Sequence, residues 1–216
     1  MPGIIIPRML IIHLTNKSKG SIEDMHWYDK LSKYFPIEEM KSQEHMEALL
    51  KDFPELYHKD EGKYHVLMYV EAEDFIFIDY LFVSSESRGQ GIGHKLIEKL
   101  KEKNKPIILE VEPVNYKDSD TKKRLKFYQR EEFKHAKSIG YRRLSLATKE
   151  INPMEILFWA PNNEGEDVVY QALVKTYNKI HTYKDVDFYG ESYDPVEEVV
   201  QLQNGDKQKN IFDELE

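Results

Sequence analysis

Aromatic and β-branched residues concentrate in two runs near the middle of the chain. The first run is Lys63–Glu71 and the second is Asp74–Val83, and only Ala72 and Glu73 separate them. Runs of this composition and length are typical of β-strands, and so short a connection favours an antiparallel hairpin. We therefore predict two neighbouring antiparallel strands here.

A glycine-rich turn follows the hairpin and leads into an amphipathic run. From Ile92 to Lys103 the apolar residues recur at helical spacing, and Pro106 lies just beyond the end of this segment. The next run, Ile107–Glu112, lies between two prolines and reads as a strand. Strand, helix and strand in this order form a βαβ unit, so Ile107–Glu112 should run parallel to Asp74–Val83.

Weaker periodic patterns predict the remaining elements. The predicted helices are Ser21–Tyr34, Ser42–Asp52, Thr121–Ala136 with Asp120 as its cap, Glu166–Ile180, and a short helix from Asp194. The other predicted strands are Arg8–Thr15, Tyr141–Leu146 and Met154–Ala160, and the last dozen residues are expected to be frayed. Helices and strands alternate without an internal repeat, which predicts a mixed α/β fold.

Composition and charge exclude several classes of function. The 216 residues include no cysteine, so disulfides, thiolate metal sites and a cysteine nucleophile are all excluded. The net charge is −8, and residues 161–216 carry the whole excess, with 13 acidic and 5 basic side chains. A nucleic-acid partner is not expected, because such proteins present an extended basic face.

The cellular location follows from the absence of targeting signals. The apolar start of the chain contains Pro7 and Arg8, lacks a preceding basic region and is read as a strand. No uncharged run approaches the roughly 20 residues that a membrane span needs. We expect a cytoplasmic protein without a membrane partner, and the sequence leaves a homodimer open.

The segment Ser84–Leu96, S-S-E-S-R-G-Q-G-I-G-H-K-L, has the character of a phosphate-binding turn. Glycines let the backbone approach a ligand, and the free N–H groups at a helix start point towards an anion. A nucleoside-triphosphate P-loop is excluded, because Lys95 is preceded by His94 rather than glycine and followed by Leu96 rather than serine or threonine.

A dinucleotide-binding turn stays open on the residues alone. Gly89 and Gly91 supply G-x-G, and Glu110 and Glu112 follow about 20 residues later, where a ribose-binding acid would lie. Against this assignment, His94 occupies the position of the third glycine.

Two sequence motifs match a known family pattern more closely than either phosphate-binding turn does. The first is the segment V-S-S-E-S-R-G-Q-G-I-G, from Val83, which fits the pattern V-x-x-x-x-[RQ]-x-x-G-x-[GA]. The second is R-L-K-F-Y-Q-R-E-E-F at Arg124–Phe133, which follows L-E-V-E at Leu109–Glu112. Together they resemble the acyl-coenzyme A motif and the F-Y-x-x-x-G-F motif of the GNAT superfamily of N-acetyltransferases, over roughly residues 8–160. Glu132 departs from the family pattern, which commonly has glycine there.

The resemblance implies a fold, a domain division and an activity. The expected fold is a mostly antiparallel central sheet with flanking helices and one splayed parallel strand pair. Residues 1–162 would form the acetyltransferase domain, and residues 163–216 an acidic C-terminal helical extension. The implied reaction is direct transfer of acetyl from acetyl-CoA to a primary amine of an unidentified acceptor, in a ternary complex.

The resemblance also assigns site residues. The pantetheine arm would lie along the strand end Leu81, Phe82 and Val83, and the pyrophosphate in the turn formed by Arg88, Gly89, Gln90, Gly91, Ile92, Gly93 and His94. Tyr128 would protonate the leaving thiolate, because a tyrosine is protonated at neutral pH. Glu110 is the first candidate for the base that takes the amine proton and Glu112 the second, and both lie on one face of their strand.

Several alternatives remain open at this point. The chain could be an acyl-CoA-binding sensor or interaction protein that has lost catalysis, or, as a weaker option, a dinucleotide-binding domain. The basic residues between Lys117 and Arg143 either form a solvated face or meet the 3'-phosphate of the coenzyme. The acidic extension either is a packed extension with a solvated outer face or covers the acceptor cleft, where it would attract a cationic amine. The eight histidines show no metal-ligand spacing, so no metal is expected.

Overall fold

The computed structural model describes residues 25–87, 89–114, 119–145, 148–203 and 209–215. Its strands form one sheet in the order β1-β2-β3-β4-β7-β6-β8, and β5 pairs with β7 beside β6. The strands are β1 Tyr57–Gly62, β2 His65–Glu71, β3 Ile76–Val83, β4 Ile107–Val111, β5 Lys134–His135, β6 Ile139–Leu144, β7 Ile151–Trp159 and β8 Val200–Leu202. The helices are α1 Trp27–Ser32, α2 Gln43–Asp52, α3 Ile92–Lys101, α4 Ser119–Arg130, α5 Glu166–Thr176, α6 Asp185–Tyr189 and α7 Val196–Val199.

One strand pair of this sheet is parallel, and it separates along its length. β3 and β4 are parallel and pair from Ile76–Ile107 to Ile78–Leu109, whereas every other pair in the described sheet is antiparallel. Beyond Ile78 both strands continue without pairing to each other. The facing edges of their carboxyl ends therefore have no partner strand, which opens a gap in the middle of the sheet.

A β-bulge in β3 adds to this separation. The pairing with β2 passes from Met68–Tyr80 to Tyr69–Ile78, so Asp79 is left without a partner residue. A bulge turns one extra side chain and increases the local twist. Asp79 and Tyr80 consequently face the same side, where Asp79 contacts Lys41 and Tyr57 and the Tyr80 hydroxyl donates to the Glu39 carbonyl, and β3 bends at the bulge.

The two faces of the sheet are covered by two apolar clusters. One cluster packs α1, α2 and α5 against the face that carries Met68, Phe77 and Ile108. The other packs α3 and α4 against the face that carries Ile78 and Leu109. Alternate residues of β4 thus enter opposite cores, as the period of a strand requires.

The C-terminal extension is part of both cores. α5 buries Val169, Ala172 and Leu173 in the first cluster, and the chain continues through a π-helical turn at Tyr177–His181. β8 joins the sheet edge beside β6. The final 3₁₀ turn, Ile211–Leu215, buries three apolar side chains against the second cluster, so the expectation of a frayed end is wrong for these residues.

Most predicted elements are confirmed with shifts of a few residues at their ends. β1 was missed because its sequence Y-H-K-D-E-G is polar; it is an edge strand, and such strands commonly carry charge. β5 and β8 were also missed, and β5 shortens the predicted helix Thr121–Ala136 to an end at Arg130. The predicted strand Arg8–Thr15 lies outside the described residues.

Within the described ranges, none of the helices α1–α7 combines the length and apolar character needed to cross a bilayer.

Candidate active site

A cleft of about 630 Å³ lies where β3 and β4 separate, between the starts of α3 and α4. Its walls come from the end of β3, the glycine turn and one face of α4. The residues that line it are Tyr34, Leu81, Val83, Ser84, Ser87, Gly89, Gly91, Ile92, Gly93, His94, Asp120, Lys123, Arg124, Phe127, Tyr128, Arg130 and Glu131. The cleft therefore collects the two sequence motifs that lie about 40 residues apart in the chain.

The glycine turn has a backbone that only glycine adopts readily. Gly89 has φ of 82° and Gly91 has φ of 70°, both in the left-handed region. Gly91 is the N-cap of α3, and no side chain hydrogen-bonds to the first turn of this helix. The N–H groups of this turn are therefore available to an anion, and the helix dipole favours a negative charge at the same place.

The third glycine of the turn has a packing role. A Cβ added to Gly93 would lie 3.2 Å from two ring atoms of Phe127. A larger residue would require the Phe127 ring to shift by a few tenths of an ångström. Gly93 thus permits the close contact between α3 and the Phe127 ring of α4.

Tyr128 is positioned by the way α4 ends. The Phe133 N–H donates to the carbonyl of Tyr128 and the Glu132 N–H to that of Gln129, which is a Schellman-type C-terminus. The rings of Tyr128 and Phe133 pack edge to face, with centroids 5.4 Å apart. The F-Y-Q-R-E-E-F motif therefore fixes the tyrosine ring between the helix and the apolar core.

The Tyr128 side chain is 7% exposed and lines the cleft. Burial raises its pKa well above the usual value for tyrosine, and the nearby Arg124 acts in the opposite direction. Among the described residues none forms a hydrogen bond with the Tyr128 hydroxyl. The hydroxyl is thus a protonated donor that faces the cleft.

Glu132 supplies the conformation that glycine would supply at this position. Its φ is 63°, so it lies in the left-handed region required at the residue after such a helix end. The departure from the family pattern therefore leaves the turn unchanged in form and introduces local strain instead.

Replacing Glu132 by glycine should relieve this strain. We expect Glu132→Gly to raise the free energy of unfolding by about 0.5 kcal/mol. Removing the strain stabilises the folded chain, but glycine also gives the unfolded chain more conformational entropy, which offsets part of this gain. The matched control Lys126→Gly, at an exposed interior position of α4, should lower it by about 1 kcal/mol. Urea denaturation measures both, and a destabilised Glu132→Gly would contradict this account of the turn.

The structure places most of the predicted coenzyme-binding residues at the cleft. Leu81, Val83, Gly89, Gly91, Ile92, Gly93 and His94 line it. The Phe82 side chain packs into the opposite core, Gln90 is exposed on the turn, and Arg88 lies outside the described residues. Sequence reasoning did not single out Lys123, Arg124 and Arg130, whose signal was the basic composition of the segment 117–143.

Glu110 lies on the other face of the sheet, in a buried ionic cluster. Its carboxylate is 3.3 Å from His181 Nε2 and 3.8 Å from Arg143 Nη2, and Arg143 Nη1 is 3.0 Å from His181 Nδ1. Arg143 and His181 hold the pKa of Glu110 well below its usual range, although burial opposes this. Burial lowers the pKa of His181 to about 4. His181 comes from the C-terminal extension, which the sequence did not connect with Glu110.

A second buried ionic group lies beside the bulge of β3. Lys41 Nζ is 2.7 Å from Asp79 Oδ1, and the Tyr57 hydroxyl donates to Asp79 Oδ2 at 2.6 Å. Burial acts to raise the pKa of Asp79, but the neighbouring cations and hydrogen bonds bring it below its usual value. The side chain of Lys41 is 3% exposed, so its charge depends on this partner.

Glu112, just after β4, contacts one of the residues that line the cleft. Its Oε2 accepts a hydrogen bond from Arg124 Nη2 at 2.6 Å. The Arg124 guanidinium also lies over the ring of Tyr34, 5.8 Å from its centroid. Arg124 lines the cleft, so Glu112 lies immediately behind the cleft wall.

One group of described side chains has the composition of a metal site. His94, Glu98 and Glu131 bring ligand atoms within 4.8 Å of one another. The Lys101 ammonium is 3.0 Å from Glu98 and 3.8 Å from Glu131, and His94 Nδ1 is 3.1 Å from Glu131. Lys101 thus already pairs with both carboxylates, and the absence of a metal stays a prediction from the sequence.

Comparisons with known proteins identify the family. The sequence model described as "Acetyltransferase (GNAT) domain" matches residues 56–135, which include β1–β4, the glycine turn and the end of α4. A protein of Bacillus subtilis (strain 168) named "Putative acetyltransferase YjbC" is 64% identical over 191 residues, which are 88% of this chain and all of that protein. The chain belongs to the GNAT acetyltransferase family.

A solved structure supports the GNAT fold. It is titled "Putative acetyltransferase from GNAT family from Bacteroides thetaiotaomicron", with a TM-score of 0.58 and 22% identity over 73% of this chain and 91% of that chain. The resemblance stated from the motifs is therefore confirmed. The predicted mixed sheet with one splayed parallel pair is confirmed as well.

Proposed function

We propose that this GNAT protein transfers the acetyl group of acetyl-CoA directly to a primary amine, in a ternary complex. The observation that carries the proposal is the cleft at the separated ends of β3 and β4. It is lined both by the glycine turn, where no side chain caps α3, and by the buried Tyr128. The chain has no cysteine, so an acetyl-cysteine intermediate is excluded.

The donor half of the cleft suits a coenzyme with a phosphate group and an amide-containing arm. The pyrophosphate would accept hydrogen bonds from the first turn of α3, where no side chain caps the helix. The unpaired edge of β3 after Ile78 would hydrogen-bond the pantetheine arm, as a partner strand would. Lys123, Arg124 and Arg130 on α4 add positive charge along the same wall.

The leaving group needs a proton as the thioester bond breaks. Tyr128 is the candidate donor, because its hydroxyl lines the cleft and its raised pKa keeps it protonated throughout the physiological range. A donor already positioned in a buried site stabilises the charge that develops on sulfur.

The attacking amine must lose a proton, since an alkylammonium with a pKa of about 10.4 is largely protonated at neutral pH. Glu110 and Glu112 stay the sequence-based candidates for the base. Glu110 would have to leave the pairing with Arg143 and His181 in order to accept a proton. Glu112 is half-exposed and lies next to the cleft wall, which favours it over Glu110.

A panel of primary amines tests the proposal. Acetyl-CoA should raise the melting temperature of the protein, and at least one amine should cause release of CoA thiol together with an equal amount of the N-acetyl product. Tight binding of acetyl-CoA without any product would favour the alternative of an inactive acyl-CoA sensor. Binding of NAD in preference to CoA would instead favour a dinucleotide-binding domain.

A further inference from the structure

One row of side chains on α4 faces the glycine turn. The Phe127 ring lies next to Gly93, and Glu131 Oε2 is 3.1 Å from His94 Nδ1. Residues four positions apart lie above one another on a helix, so Phe127 and Glu131 form one row. This row is the part of α4 that meets the start of α3.

A second row on the same helix faces the end of β4. Arg124 and Tyr128 are also four positions apart, and both line the cleft. Arg124 Nη2 donates to Glu112 Oε2, just after β4, at 2.6 Å. The guanidinium of Arg124 therefore lies towards the end of β4, in the row that carries Tyr128, rather than beside the glycine turn.

Arg124 is held in this place from two sides. Glu112 accepts the short hydrogen bond, and the guanidinium lies over the ring of Tyr34, 5.8 Å from its centroid. Tyr34 in turn packs against Phe35 and Phe82, with ring centroids 5.0 Å and 5.7 Å away. A carboxylate and an aromatic face both favour a guanidinium, so the orientation of Arg124 is set before a ligand binds.

Arg124 differs in this respect from the other cations of α4 that line the cleft. Its side chain is 29% exposed, whereas that of Lys123 is 60% exposed and pairs with Asp120 at 2.7 Å. Arg130 is exposed in the last turn of the helix. Lys123 and Arg130 thus lie where an anion arriving from solvent would meet them, and Arg124 lies deeper in the wall.

The charge of Arg124 favours the anionic form of Tyr128. Burial raises the pKa of Tyr128 well above its usual value, Arg124 lowers it, and Tyr34 adds to the rise. The charged and titratable groups that act on Arg124 itself include Tyr34, Glu112 and Glu39, and they raise its pKa although burial opposes this. Arg124 therefore stays cationic and acts on the tyrosine as a fixed positive charge.

On the basis of the proposed function, we infer that Arg124 is a positioning residue that acts through Tyr128, by stabilising the tyrosine anion formed when the leaving sulfur is protonated. The neutral amine forms a bond with the thioester carbonyl carbon, the carbon–sulfur bond breaks, and the sulfur takes the hydroxyl proton of Tyr128. The proton that the nitrogen loses as the amide forms restores this hydroxyl, so the products are the N-alkylacetamide and CoA thiol. A positive charge fixed near the phenolic oxygen stabilises the anion between these two transfers.

The titration of Tyr128 tests the inference without an acceptor. The protein carries 3,5-difluorotyrosine at position 128 alone, because the fluorines make the phenol more acidic and supply a ¹⁹F signal. Arg124→Gln should move the titration of this signal to higher pH by about one unit, since a charge that favours the anion is removed. Lys126→Gln is the matched control: it removes the same charge from an exposed position of α4 outside the cleft and should leave the titration unchanged. An unchanged titration in Arg124→Gln would overturn the inference.

Kinetics with the most active amine of the panel test the effect on the reaction. Arg124→Gln should lower kcat about tenfold, as expected for a change of about one unit in the pKa of the proton donor, and should keep the KM for acetyl-CoA within about threefold. In a Tyr128→Phe background the same substitution should have little further effect, because the hydroxyl through which Arg124 acts is gone. Lys126→Gln should retain the wild-type kcat.

A conservative variant separates the charge from the fold. Arg124→Lys keeps a positive charge but lacks the planar fork that binds Glu112, so its kcat should lie between those of the wild type and Arg124→Gln. The melting temperature of each variant shows whether it is folded. A kcat of Arg124→Lys no higher than that of Arg124→Gln would contradict a role for the charge.

The outcomes separate this inference from the proposed function. If an amine is acetylated and Arg124→Gln is as active as the wild type, the inference is overturned while the proposed function stands. An equal loss of kcat with and without the Tyr128 hydroxyl would also overturn it, as would a raised KM for acetyl-CoA with an unchanged kcat, which would indicate a contact with the coenzyme. If no amine is acetylated, the proposed function fails, and the ¹⁹F titration decides whether Arg124 stabilises the Tyr128 anion.

Discussion

We expect Tyr128→Phe to lower kcat about 100-fold with the amine that the panel identifies, while the binding of acetyl-CoA stays the same. The substitution removes only the hydroxyl, which lines the cleft and forms no hydrogen bond with another described residue. Loss of a positioned proton donor typically costs two orders of magnitude or more. Steady-state kinetics, together with the melting-temperature shift caused by acetyl-CoA, measure the two effects separately.

Tyr69→Phe provides the matched control for this experiment. Tyr69 is 8% exposed and lies in the same apolar cluster as Tyr128, but it does not line the cleft. This variant should keep the wild-type kcat. An unchanged kcat in Tyr128→Phe would remove the tyrosine from the reaction, and equal losses in both variants would indicate a general effect on the core.

The second large effect should come from the buried ionic cluster under β4. We expect Arg143→Met to lower the free energy of unfolding at pH 8 by about 3 kcal/mol, because it leaves the Glu110 carboxylate buried beside a neutral His181. His181 is neutral at this pH because its pKa is about 4. Urea denaturation at fixed pH measures the change.

Two further variants show whether the unpaired charge is the cause. Arg142→Met removes an exposed arginine one position away on β6 and should change the free energy of unfolding by less than about 0.5 kcal/mol. Adding Glu110→Gln to Arg143→Met should recover part of the loss, because no unpaired charge then remains. Equal destabilisation by Arg142→Met and Arg143→Met would contradict this account of the cluster.

The central part of the fold could be predicted because its local patterns agree with one another. The hairpin, the glycine turn, α3 and β4 form consecutive elements whose periodicity and proline boundaries are all visible in the sequence. β1 could not be found in this way, since an edge strand with one exposed face carries polar residues such as Lys59 and Glu61. The short strands β5 and β8 depend on their partner strands for their conformation.

The glycine turn and Tyr128 were predictable for the same reason, and the buried ionic groups near β3 and β4 were not. The glycines and Tyr128 belong to contiguous motifs whose chemistry follows from local backbone geometry. Lys41 lies in the connection between α1 and α2, and it meets Asp79 of β3 only in the folded chain. His181 likewise reaches Glu110 from 71 positions further along the sequence, a contact that no local pattern indicates.

The acidic composition of the C-terminal extension left two interpretations open: a packed extension with a solvated outer face, or a cover over the acceptor cleft. The structure agrees with the first, because apolar residues of the extension are buried in both cores. In the structure its π-helical turn places His181 beneath the sheet, and Tyr189 hydrogen-bonds to His45 in α2 at 3.0 Å. The extension thereby supports α2 as well as the strand that carries Glu110.

The order of addition of the two substrates tests direct acetyl transfer most directly. The protein is incubated with acetyl-CoA alone, and CoA thiol and the mass of the intact protein are followed before and after an amine is added. Direct transfer predicts no thiol release and no acetylated protein before the amine, then thiol and N-acetyl product in equal amounts. A burst of thiol that matches the enzyme concentration, with acetyl bound to the protein, would contradict it.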